Sequence, residues 1–228
     1  MPRLHMIFDL DDTLYPERDF AIEGFRSAAR WAEQTLGVRD VVEEMTEMLD
    51  GGMLGQLFQV ILERHAPDHT AEHLAAFREA YRRVDDPRLT LFPDAARALD
   101  HYERHGPMGL ITDGTRAVQA KKVAALGLEA RFARIVFTDA LGPNRAYFKP
   151  HPRPFEEMAS AIGAPGDRYV YVGDNPAKDF VAPNAMGWTS VLVHRPHPRI
   201  HDVAKVAAGG APQHTVESLA ALPDVLGR

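Results

Sequence analysis

"IFDLDDTLYP", residues 7–16, runs a stretch of apolar residues directly into Asp9, Asp11 and Asp12. The apolar part, extended back through "LHM", has the near-continuous hydrophobicity of a strand buried on both faces. Carboxylates crowded at a strand end repel one another and raise each other's pKa. A chain tolerates that arrangement where a cation, or a phosphoryl group in need of a nucleophile, offsets the repulsion. Along an extended chain Asp9 and Asp11 point the same way, while Leu10 and Asp12 face the other side. Asp9 and Asp11 are therefore the candidate reactive pair, and Asp12 a residue that ties the loop.

The same strand texture recurs at "MGLIT" (108–112), "RIVFT" (134–138), "RYVYVG" (168–173) and "TSVLV" (189–193). Helical periodicity fills the gaps at "PDAARALDHYERHG" (93–106), "TRAVQAKKVAALGL" (115–128) and "PRPFEEMASAIG" (152–163), and the first and last of these end on a candidate capping glycine. Strands alternating with helices predict right-handed βαβ crossovers and an α/β core built on an open, parallel, Rossmann-like sheet. Residues 17–86 break the rhythm with four amphipathic helical stretches and no strand. The organisation expected is an α/β core of 1–16 and 87–228, with an all-α helical cap of 17–86 inserted after the first strand. Its hinges fall near Tyr15–Pro16 and Asp86–Pro87, where proline marks the boundaries.

With 228 residues, 45% of them hydrophobic, the chain can bury a large core. A formal charge of -6 with 26 scattered basic residues argues against a nucleic-acid groove. The absence of cysteine excludes disulfides, thiolate zinc sites and a cysteine nucleophile. Aspartate arrives too soon after "MPRLHMIF" for a signal peptide, and no apolar run approaches a membrane span, so a soluble cytoplasmic protein is expected.

Ligands of parallel α/β sheets bind outside the carboxyl ends of the strands. Reading those ends gives Asp9 and Asp11, then Thr112, Asp113 and Gly114, then Lys149 in "YFKPHP", and then Asp174 and Asp179 in "GDNPAKD". Such a set suits phosphoryl transfer through an aspartyl-phosphate. One carboxylate attacks, and a second acid serves the leaving oxygen and then water. Hard oxygen ligands hold Mg²⁺, while lysine, a hydroxyl and backbone N–H groups grip the phosphoryl oxygens.

These motifs, in this order, resemble the haloacid dehalogenase superfamily of hydrolases: "FDLDDTL", "GLIT", the lysine of "FKPHP" and "VGDNPAKD". The resemblance implies Asp9 as nucleophile and Asp11 as general acid/base, with Thr112, Asp113, Gly114 and Lys149 binding the phosphoryl group. It places Mg²⁺ on Asp9, Asp174 and the backbone carbonyl of Asp11, with Asp179 ligating the metal or supporting a ligand. The helical insert corresponds to the family's C1 cap. Asp113 stands where many relatives carry asparagine, which bears on substrate preference. The implied activity is Mg²⁺-dependent hydrolysis of a small phosphorylated metabolite, a nucleoside monophosphate or sugar phosphate, by a monomer or homodimer. A phosphomutase could use the same residues. A 2-haloacid dehalogenase needs neither the metal nor Asp11, and a non-catalytic binding module would not need so complete a site.

Other residues read as structural. His197 and His201 have H-x-x-x-H spacing, but Pro196 and Pro198 oppose the helix that would align them, so His194, His197 and His201 belong to a solvated loop. Phe20, Phe25, Trp31, Phe58 and Phe77 are expected in the core of the cap. Arg116 and Lys122 read as solvated helix charges.

Overall fold

The apolar run ahead of the aspartates forms β1 (Leu4–Phe8), flanked by a parallel neighbour on each edge. Two paired edges and two covered faces explain why Met6, Ile7 and Phe8 are all buried. In the computed structural model, which describes residues 3–53, 55–196 and 205–227, β2 (Gly109–Thr112), β3 (Arg134–Phe137), β4 (Arg168–Gly173), β5 (Thr189–Val193) and β6 (His214–Val216) complete the sheet. The six strands run parallel in the order β3-β2-β1-β4-β5-β6. Strand order thus reverses between β1 and β4, which opens a crevice at their carboxyl ends.

Among the described residues the chain divides into two compact units, Glu17–Leu89 and the segments on either side of it. The first unit is helical: α1 (Glu17–Leu36), α2 (Val42–Asp50), α3 (Leu57–His65) and α4 (Ala71–Arg82). Its core gathers Phe25, Met45, Ile61 and Phe77, with Trp31 and Phe58 packed against them. Phe58 meets Phe77 edge to face at 5.3 Å between centroids. Phe20 is only half-buried and lies outside this cluster.

The second unit carries the sheet with α5 (Pro93–Tyr102), α6 (Arg116–Ala125), α7 (Arg153–Ile162), α8 (Val181–Ala185) and α9 (Leu222–Leu226). Phe155 and Met158 of α7 pack on Ile7, Ile111, Val136 and Tyr171, welding the helix to four strands. β6, α8 and α9 span only three to five residues, too few to display a period. α5 stops at Tyr102, four residues before Gly106, and Gly163 is extended rather than left-handed. Left-handed glycines follow other core helices: Gly127 (φ +65°) after α6, where Leu128 N–H reaches back to the Val123 carbonyl, Gly187 (φ +73°) after α8 and Gly227 (φ +67°) after α9. His194 is exposed, while His197 and His201 lie outside the described residues.

A buried polar knot ties the C-terminal part of the chain to the loop after β1. The Asp94 carboxylate accepts from Arg195 Nη1 at 2.9 and 2.8 Å, from Ser218 Oγ at 2.7 Å and from Leu219 N–H at 2.7 Å. Arg195 Nη2 donates to the Thr13 carbonyl at 2.9 Å, and its guanidinium stacks 3.9 Å over Phe92. Burial alone would raise the Asp94 pKa, but the Ser218 hydroxyl, Arg195 and the Leu219 N–H hold it below the usual carboxylate range. Removing one partner of such a pair strands a buried charge. Asp94→Ala is therefore expected to cost about 3–5 kcal/mol in urea unfolding at neutral pH. A depressed folded-state pKa contributes stability above the ordinary carboxylate value and loses it in more acidic solution. The stability gap between wild type and Asp94→Asn should accordingly narrow below about pH 4. A constant gap across that range would show that the Asp94 charge does not stabilise the fold.

Candidate active site

At the crevice, Asp9 leaves β1 with its N–H bonded to the Val172 carbonyl of β4 at 2.9 Å, which seats it beside the loop that follows β4. That loop carries Asp174 and Asp179, and Gly173 lets it fold back. A Cβ on Gly173 would lie 2.6 Å from Asp179 Oδ2, so only glycine admits the approach. Asn175 N–H donates to the same oxygen at 2.8 Å. Carboxylate oxygens of Asp9, Asp174 and Asp179 all lie within 4.8 Å of one another, and all three residues are buried. This is a set of hard oxygen donors of the kind that divalent cations such as Mg²⁺ favour.

Lys149 stands against this group with a side chain wholly removed from solvent. Its Nζ lies 2.6 Å from Asp9 Oδ1 and 3.0 Å from the Tyr171 hydroxyl, to both of which it donates. It also sits 2.7 Å from Asp179 Oδ1, a charge contact whose angle does not make a hydrogen bond. Burial pushes the Asp9 carboxyl up to about 6; Lys149 opposes the rise and the Asp179 charge adds to it. For Lys149, burial favours the neutral amine, but the Asp179 and Asp9 charges win and hold its pKa well above the usual value.

Asp11 has a different environment. Lys122 Nζ donates to its Oδ1 at 2.6 Å, the Tyr15 hydroxyl to the same oxygen at 2.5 Å, and Gln119 Nε2 to Oδ2 at 2.8 Å. Burial would raise the Asp11 pKa, but Lys122 first, then Tyr15 and Gln119, hold it below the usual range. Gln119 also donates to Thr112 Oγ1 at 2.6 Å, coupling the end of β2 to Asp11. Gly114, in the loop from β2 to α6, adopts φ +120°, a conformation that side chains disfavour.

Lys122 is not a solvated helix charge: it is buried at 3% exposure and paired with Asp11. Its spacing from Gln119 and Val123 puts all three on the inward face of α6, a signal present in the sequence but masked by the lysine itself. Arg116 is exposed, and Asp12 is buried in a left-handed conformation at φ 53°. Asp113 spends Oδ1 on the Thr138 hydroxyl at 2.8 Å and on the Lys149 N–H at 3.2 Å, leaving its backbone N–H as the group suited to an anion. Tyr171, Gln119, Tyr15 and Lys178 also belong to the site, though no strand-end pattern singles them out.

Residues 5–187 match the family described as haloacid dehalogenase-like hydrolase. The chain is 30% identical over 198 residues to a glyceraldehyde 3-phosphate phosphatase from Methanopyrus kandleri, covering 83% of each chain. It is 24% identical over 239 residues to a ribulose-1,5-bisphosphate 5-phosphatase from Halopiger xanaduensis, covering 97% of this chain and 98% of that one. Its fold superposes on the crystal structure of a 2-haloacid dehalogenase from Pseudomonas syringae with a TM-score of 0.59 at 25% identity, over 100% of this chain and 99% of that one. Among the described residues no helix is long and apolar enough to cross a membrane. With the family matched from β1 to the residues just after α8, the chain belongs to the haloacid dehalogenase-like hydrolases.

Proposed function

We propose that the protein is a Mg²⁺-dependent phosphomonoester hydrolase that works through an aspartyl-phosphate on Asp9. The observation that carries this reading is the division of labour between two aspartates two residues apart. Asp9 joins a buried acidic trio with Lys149, whereas Asp11 is held by Lys122, Tyr15 and Gln119. Two carboxylates in separate surroundings, each within hydrogen-bond distance of a different lysine, can take separate roles, one as nucleophile and one as proton carrier. In the first step an Asp9 oxygen bonds to phosphorus, the bond to the ester oxygen breaks, and Asp11 gives that oxygen a proton. In the second, Asp11 takes a proton from water, whose oxygen bonds to phosphorus as the bond to Asp9 breaks. Thr112 and the backbone N–H groups of the β2–α6 loop suit the phosphoryl oxygens. Mg²⁺ on Asp9, Asp174 and Asp179 would supply charge neutralisation between nucleophile and phosphate. The relatives' names support a small phosphorylated metabolite as substrate, such as a triose or sugar phosphate.

The test of this reading is Asp9→Asn, an isosteric change that removes the nucleophile. Released phosphate should fall by about 10³-fold or more with the fold intact. EDTA should abolish wild-type activity and Mg²⁺ restore it. Full turnover in EDTA would favour the dehalogenase chemistry instead.

The buried pair makes a second prediction. Lys122→Met should lower kcat by about 10²-fold, the scale of general acid/base catalysis, while KM for p-nitrophenyl phosphate changes little. Lys122→Arg should recover part of the loss. A kcat within about twofold of wild type would show that Lys122 does not tune Asp11 for proton transfer.

Discrimination among phosphomonoesters falls, on this reading, to the helical segment 17–86 acting as a cap, since the core groups above can grip only a phosphoryl group. A chain with a short linker in place of 17–86, folded by circular dichroism, should retain weak Mg²⁺-dependent hydrolysis of p-nitrophenyl phosphate. It should lose its ranking of metabolites. A preserved ranking would move specificity to core loops such as 113–119.

A further inference from the structure

Gln119 commits both N–H groups of its side-chain amide to the site. Its Nε2 donates to Asp11 Oδ2 at 2.8 Å and to Thr112 Oγ1 at 2.6 Å, and the residue is buried at 2% exposure. The Asp11 carboxylate decides which end of the amide faces inward, since it attracts the N–H groups and repels the carbonyl oxygen. Gln119 lies in the first turn of α6, where its backbone N–H bonds to the Thr115 carbonyl at 3.0 Å. The loop ahead of that helix is shaped around the side chain. A Cβ on Gly114 would lie 3.1 Å from Gln119 Cδ and 3.2 Å from its Oε1, so glycine at that position gives the amide its room.

The bond to Thr112 fixes more than a distance. A hydroxyl carries one proton and two lone pairs. Because the Thr112 oxygen accepts from Gln119, its proton is the part left to give. Among the described residues that proton goes to the Asp113 carbonyl at 3.4 Å, well beyond the roughly 2.7–2.8 Å usual for a hydroxyl donor. A phosphoryl oxygen is negatively charged and only accepts, so it needs that proton and is repelled by the lone pairs. Without the amide the hydroxyl is free to rotate, and Asp11 loses one of its three side-chain donors, Lys122, Tyr15 and Gln119.

We propose that Gln119 is a positioning residue: it sets the Thr112 hydroxyl as a donor to the phosphoryl oxygens while it holds Asp11, so that one amide aligns the phosphate grip with the proton carrier. The proposal rests on the phosphatase reading above and deepens it. Gln119 acts through its two partners and needs no contact with the substrate. Its effect on phosphate binding must therefore pass through the Thr112 oxygen and vanish when that oxygen is removed.

The experiment is a double-mutant cycle on the full chain with saturating Mg²⁺. Inorganic phosphate is the probe, read as its competitive inhibition constant against p-nitrophenyl phosphate. Thr112→Val, which keeps the shape and removes the hydroxyl, should weaken phosphate binding by about tenfold, the worth of one charge-assisted hydrogen bond. Gln119→Met, which keeps the length and removes both donors, should weaken it by about fivefold. The double variant should bind phosphate within about twofold of Thr112→Val alone, because the two losses are the same loss. A merely structural role for Gln119 would instead add its loss to that of Thr112→Val, and additivity would overturn the proposal. A phosphate constant within about twofold of wild type in Gln119→Met would overturn it too, while leaving the phosphatase reading standing. In both backgrounds kcat should fall, since the bond to Asp11 is lost in each; a kcat that does not move would overturn the link to Asp11. Should Gln119→Met fail to fold by circular dichroism, Gln119→Leu runs the same cycle. Failure of the wild type itself to bind phosphate or hydrolyse any phosphomonoester would remove both readings.

Discussion

A single buried ammonium makes the acidic crevice possible. Asp9 and Asp179 come from different segments, yet each lies within 2.7 Å of Lys149 Nζ. Two like charges about 4 Å apart repel by roughly 4 kcal/mol at the effective dielectric near a protein surface, and Asp174 adds a third. Neither the acids nor the lysine could be buried alone. This mutual dependence places the segment between β3 and α7 beneath the end of β1, and it puts the Tyr171 hydroxyl where the lysine needs another acceptor. It also requires glycine at position 173, since any side chain there would hold Asp179 away from the lysine.

Around that centre the site separates two charge systems that touch the same strand end. One contains Asp9, Asp174, Asp179 and Lys149; the other contains Asp11, Lys122, Tyr15 and Gln119. Each system has its own lysine, Lys149 in the first and Lys122 in the second, so a change at one need not collapse the other. Thr112 lies between them, bonded through Gln119 to the second system and adjacent in sequence to Asp113, which is tied to Lys149 of the first.

Much of this was legible in residue order because strands buried on both faces leave continuous apolar runs and their ends are where function gathers. "LHMIF", "RYVYVG" and "TSVLV" coincide with β1, β4 and β5 to the residue. The acidic residues after β1 and β4 stood out because charge beside such runs is conspicuous. What stayed hidden depends on partners distant in sequence. Lys122 looks like any amphipathic-helix lysine until Asp11, 111 residues away, is folded against it. Tyr171 reads as one more strand aromatic, and Arg195 as one cation in a histidine- and proline-rich loop. Burying a charge is a decision of tertiary structure, and local periodicity does not record it.

The knot joining Asp94, Arg195, Ser218 and the Thr13 carbonyl has a consequence for how the protein is made. A ribosome delivers the loop after β1 first and the residues that brace it last. Leu219 N–H and Asp94 are 125 positions apart, and Arg195 and Thr13 are 182 apart. Until residues 195–219 have emerged, the loop after the first strand lacks this brace. Helices α1–α4 draw on neighbouring sequence and can pack during synthesis, whereas the sheet must wait for its later strands. A nascent chain halted before Arg195 would carry Asp9 and Asp11 without the guanidinium that holds the Thr13 carbonyl of their loop.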